Sequence, residues 1–71
     1  MKRKIIDFLK RNGFERMEKN SYANELCNVV FQEVGCVVAD NYGRAIYVTD
    51  VNIYSIIGIL TYYGFIDKNY N

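Results

Sequence analysis

Few residues in this chain are equipped for chemistry: two thiols, Cys27 and Cys36, eight carboxylates, and no histidine. Without His, a Ser or Cys nucleophile lacks its ordinary base, so a hydrolase triad in its usual form is excluded. Two sulfurs without His or neighbouring carboxylates cannot complete a tetrahedral zinc site, and the spacing of Cys27 and Cys36 follows no zinc-ligand pattern. The carboxylates are scattered through the chain, as expected of ionised side chains held at the surface. The five glycines form neither a phosphate-binding loop nor a dinucleotide fingerprint. The expectation is a protein with no catalytic residue, no metal and no cofactor, hence not an enzyme.

Two features remain that bear on binding. Residues 1–16 carry six basic side chains against two acidic ones, a net +4, while the remainder carries three against six, a net −3. Arg3, Lys4, Lys10 and Arg11 in the basic end offer phosphate contacts, and tyrosines elsewhere offer stacking surfaces for bases. A field this weak, opposed by an acidic remainder, is the ordinary pattern of a solvated helix face, so nucleic acid is the alternative rather than the expected partner. The second feature is the run Val51–Ile66, sixteen residues without a charge between Asp50 and Asp67. It is too short for a membrane span, at roughly 24 Å against a hydrocarbon layer of ~30 Å.

Those features sit on elements that the pattern defines. Arg3–Asn12 reads as an amphipathic helix, with Ile5, Ile6, Phe8 and Leu9 on one side and Gly13 closing it in a left-handed conformation. Lys10 and Arg11 suit the negative end of its dipole, whereas Lys2, Arg3 and Lys4 sit at the wrong end. From Phe14 the pattern turns to β. Residues 14–18 form a strand, the turn Lys19-Asn20-Ser21 follows, and 22–26 either continues it or makes a second strand. Asn28–Gln32, Cys36–Asp40 and Arg44–Thr49 are three clearer strands. Asn41-Tyr42-Gly43 suits a three-residue hairpin loop with Gly43 in the left-handed position, which pairs Asp40 with Arg44 and Val38 with Ile46. Asp50 or Thr49 is expected to cap the final helix, Gly64 to end it, and residues 67–71 to trail as a polar tail.

Alternation predicts one sheet face of Val29, Phe31, Val37, Ala39, Ala45 and Tyr47, and another of Val30, Cys36, Val38, Ile46 and Val48. Both helices are placed on the first, leaving Val30, Val38, Ile46 and Val48 as a candidate interface. On the final helix Ile53, Ile56, Ile57, Leu60 and Tyr63 make the core stripe, and Val51, Ile59 and Tyr62 lie outside it as a second candidate. Tyr42, in the hairpin turn, projects outward, while Tyr47, Tyr54 and Tyr63 are expected at the core edge. Cys27 and Cys36 fall on opposite faces, so no bridge between them is expected.

The segments SYANELCNVVFQ, Ser21 to Gln32, and NIYSIIGILTYYGFIDKNY, Asn52 to Tyr70, resemble small uncharacterised proteins encoded by phages and mobile elements of AT-rich gut bacteria. The resemblance implies an accessory protein that binds and inhibits a host factor; it carries no defined activity and no functional residue.

The expectation is therefore one α+β domain over residues 1–71, two layers in the order α-β(3 or 4)-α, with an antiparallel meander between N- and C-terminal helices. A core this small is only marginally able to offset chain entropy, and with metal and disulfide removed a partner chain is the remaining support. Asp7 and Lys10 interrupt the apolar run of the N-terminal segment, unlike a signal peptide, so a cytoplasmic location with reduced thiols is expected. The expected partners are a second copy, as a homodimer, and a host protein, with no membrane.

Overall fold

The computed structural model describes residues 2–70 and has the α+β architecture the sequence predicts. Helix α1 is Lys2–Arg11, followed by strands β1 (Glu15–Glu18), β2 (Ser21–Ala23), β3 (Cys27–Phe31), β4 (Cys36–Asp40) and β5 (Ala45–Val48), and by helix α2 (Ile53–Tyr62). The strands pair in chain order as one antiparallel meander. Residues 14–26 supply two strands, so the sheet has five rather than three or four.

Helix α1 ends where expected. Gly13 takes φ +88°, and the Asn12 side chain donates to the Phe8 carbonyl, which also accepts from the Asn12 amide. The start of α2 differs. Asn52, not Asp50 or Thr49, is the N-cap: its Oδ1 accepts from the Ser55 amide at 2.9 Å, and Ser55 Oγ accepts from the Asn52 amide at 3.2 Å. Ser55 thus takes the place of the usual Glu or Gln in a capping box, and Val51 lies ahead of the helix.

The β4–β5 hairpin has the expected register, with Val38 opposite Ile46 and the Asp40 amide donating to the Arg44 carbonyl. Asp40 closes the turn. Its carboxylate accepts from the Tyr42 and Arg44 amides and from Arg44 Nε, and those donors, the backbone amides first, hold its pKa below the ordinary carboxylate value.

The β3–β4 connection corrects the assignment of faces. Phe31 pairs with Cys36 across the four residues Gln32–Gly35. An even-numbered connection places odd residues of one strand beside even residues of the next, because paired residues share a face. Val29 therefore lies opposite Val38, not in the row of Val37 and Ala39. The inner face is Tyr22, Cys27, Val29, Phe31, Cys36, Val38, Ile46 and Val48, and α1 and α2 both cover it. Ile5, Phe8 and Leu9 of α1 and Ile56 and Leu60 of α2 complete this core, joined by Phe14, Phe65 and Ile66.

The thiols are corrected with it. Cys27 and Cys36 share the inner face, both buried and both free, but Cys27 pairs with Asp40 while Cys36 pairs with Phe31. They are separated by four residues along the strand direction, about 13 Å at ~3.3 Å per residue. It is this distance, not opposite faces, that stands against a bridge, which requires Cα atoms within about 6.8 Å. Burial, reinforced by the nearby Asp40 charge, pushes the Cys27 thiol up to about 12, and burial raises Cys36 as well. Both shifts favour the protonated thiol over the thiolate.

Polar contacts tie the layers together. Asn24 Oδ1 accepts from the amides of Leu26 and Cys27, and its Nδ2 donates to the Phe65 carbonyl beyond α2. Lys2 Nζ donates to Asn20 Oδ1 and lies 5.2 Å from the Phe31 ring centroid. Tyr70, assigned to the polar tail, packs edge-on against Phe8 at 5.5 Å between centroids. Asn71, the end of that tail, lies outside the described residues.

Candidate contact surface

With both helices on the inner face, no element among the described residues covers the outer face of the sheet. Register assembles it in two cross-strand rows: Glu18, Ser21, Val30, Val37 and Tyr47 in one, and Glu15, Ala23, Asn28, Ala39 and Ala45 in the other. The centre is apolar. Val30, Val37 and Ala39 are half-buried by their neighbours within the sheet, Ala45 is exposed, and Tyr47 is 74% exposed at the end of its row. Ser21 and Asn28 satisfy each other through a 2.8 Å contact between Oγ and Oδ1, so the polar pair within the face is already partnered. The rim on β1 is acidic, from Glu15 and Glu18. Small, β-branched and aromatic side chains on one sheet face, with charge only at the border, are suited to contact with another apolar surface.

The residues proposed from sequence as an interface separate into groups. Val38 is fully buried and Val48 nearly so, and Ile46 packs against the same core from the inner face; all three are closed off by the helices. Val30 alone of that group lies on the uncovered face. Ile59 is half-buried against the core on the flank of α2, while Tyr62 and Tyr42 project into solvent. Tyr47, Tyr54 and Tyr63, expected at the core edge, are exposed instead, Tyr63 the least so at 39% with Arg44 5.8 Å from its ring centroid. Val37, Ala39, Ala45 and Tyr47 are the outer-face residues that parity misplaced. The signal that would have recovered them is the even length of the Gln32–Gly35 connection.

Arg3, Lys4, Lys10 and Arg11 are all exposed on the outer side of α1, with Asp7 among them. Tyr54 and Tyr62 face solvent on α2, which packs beside α1 in the same layer. Depressions mark the surface of the described residues, among them ones beside β1, along α1, and where Phe31 and Gly35 meet Val51. All are open to solvent. Among the described residues no three His, Cys, Asp or Glu side chains converge to hold a metal ion, and no helix is long and apolar enough to cross a membrane. Compared with protein-family models, with curated proteins and with solved structures, the chain matches none.

Proposed function

We propose that this protein is a non-enzymatic protein-interaction module whose contact surface is the uncovered face of its sheet. The observation that carries the reading is the expenditure of both helices on one face, which leaves Val30, Val37, Ala39, Ala45 and Tyr47 without an intramolecular cover. The partner that fits has an apolar centre and Lys or Arg toward the β1 border, opposite Glu15 and Glu18. The resemblance of the middle and C-terminal segments makes a host protein the natural occupant.

A second reading has one observation in its favour. The cations of α1 and the exposed Tyr54 and Tyr62 of α2 lie in one layer, the combination of phosphate contacts and stacking platforms that single-stranded nucleic acid uses. Asp7 within the cation face and the small number of phosphates it spans put this reading second.

Affinity capture from native cell extract separates the two. The expected result is a protein partner recovered by the parent chain, insensitive to nuclease, and lost with Val37→Lys, which sets a charge in the middle of the apolar rows. A nuclease-sensitive capture that survives Val37→Lys and is lost on changing Lys4, Lys10 and Arg11 to Glu would replace the first reading with the second.

A further inference from the structure

The two edges of the sheet are built differently. β1 carries Glu15, Arg16 and Glu18, all exposed, and its pairing shifts register between Arg16 and Glu18. Charges and a bulge are the usual devices by which an edge is kept from pairing with another strand. β5 has neither. Ala45, Ile46, Tyr47 and Val48 hold an uninterrupted register against β4, and Thr49 follows, without a charge or a proline.

The direction of the backbone groups on β5 follows from the hairpin. The Asp40 amide donates to the Arg44 carbonyl, which makes that pair hydrogen-bonded. Antiparallel pairs alternate, so Ile46 and Val48 bond inward to β4, and Ala45 and Tyr47 turn their N–H and C=O groups to the free edge. A donor and acceptor at every second residue is what a further antiparallel strand requires.

We propose that β5 pairs with β5 of a second copy about a two-fold axis through Tyr47. In that register Tyr47 exchanges backbone hydrogen bonds with its own copy, Ala45 lies opposite Thr49, and Ile46 opposite Val48. Arg44 lies opposite Asp50, so the only charges at the border of the pairing are of opposite sign. No like charges meet anywhere along the paired segment, which is the condition for a self-complementary interface. Residues opposite one another share a face, so both helix layers fall on one side of the joined sheet and both uncovered faces on the other. The proposal goes beyond the contact-surface reading, because it uses edge backbone groups and stands whether or not that face takes a partner.

The test uses three changes at one position. Tyr47→Pro removes an outward N–H and no bond to β4, so the domain keeps its circular dichroism spectrum and its sedimentation mass falls from twice the 8.3 kDa chain to that of a monomer. Tyr47→Lys, which leaves the backbone intact and sets two ammonium groups against each other at the axis, has the same effect on mass. Tyr47→Cys, treated with a short bis-maleimide, gives a covalent dimer, whereas Met17→Cys on the guarded β1 edge does not; the buried Cys27 and Cys36 do not compete. Val37→Lys, off the edge, leaves the mass of the dimer unchanged. A parent chain of monomer mass at high micromolar concentration overturns the proposal. So does a Tyr47→Lys variant that associates as the parent does, or crosslinking at position 47 that is no greater than at position 17.

Discussion

Gly35→Ala is expected to unfold most of the protein at temperatures where the parent is folded. Gly35 has φ +82°, and a Cβ there would collide with the Val48 carbonyl oxygen. That oxygen belongs to backbone held in the β4–β5 ladder, and a flexible side chain cannot give way in its place. Relief would require the end of β5 to move off β4 and break the Cys36–Val48 pair. Left-handed strain and displaced backbone together place the cost at about 3–5 kcal/mol. For a domain of this length that is a large part of the total stability and lowers the melting midpoint by roughly 15–30 °C. Two other glycines calibrate the measurement. Gly43 has φ +89° with open space around its missing side chain, so Gly43→Ala costs only about 1–2 kcal/mol of backbone strain. Gly58, on the exposed side of α2 with nothing near it, should gain about 0.5–1 kcal/mol from Gly58→Ala. Thermal melts followed by circular dichroism give the order. Equal midpoints for Gly35→Ala and Gly43→Ala would mean that the β3–β4 turn does not approach β5 as described.

Val38→Lys and Val37→Lys differ by one position and should differ by most of the protein's stability. Val38 is fully buried between the sheet and the helices, opposite Val29 and Ile46. An ammonium group there has no carboxylate among its cross-strand neighbours and loses its water, at a cost of about 3–5 kcal/mol. Val37 faces the uncovered side between Val30 and Tyr47, where a lysine stem lies along the sheet and its charge reaches solvent. Its cost is about 1 kcal/mol or less. Urea unfolding of the two variants reads the inner and outer faces directly. A stable Val38→Lys beside an unfolded Val37→Lys would reverse the faces.

What could be read from the residues alone was whatever depends on neighbours in sequence. Asn41-Tyr42-Gly43 specified its loop length and hence the pairing of Val38 with Ile46. Gly13 and Gly64 marked helix ends, both now with positive φ. The misassigned face came from a step that local pattern does not determine. Gln32-Glu33-Val34-Gly35 gives no comparable turn signature, and a change of one residue in its length exchanges the faces of every strand beyond it. The Val-rich alternation on both sides of the turn offers no correction, since both faces are apolar in β3 and β4. The cap of α2 was misplaced for a similar reason. Asp50 and Thr49 are good caps by type, but Asn52 has Ser55 three residues on, and the reciprocal pair outweighs the single acceptor. Tyr47, expected at the core edge, is turned outward by the same parity that exchanged the faces, and Tyr54 by its place on the solvent side of α2.

Contact through the sheet side and the β5 edge, as proposed above, leaves the helix side of the molecule in water. Hydroxyl-radical footprinting of the tyrosines, comparing the chain in native cell extract with the isolated chain at low concentration, addresses it in one measurement. All of Tyr42, Tyr47, Tyr54 and Tyr62 are exposed in the single chain and begin as reactive sites. Tyr47 is expected to become protected while Tyr54 and Tyr62 on α2 stay reactive. Protection of Tyr54 and Tyr62 with Tyr47 unchanged would contradict it, because contact would then run through the helix layer.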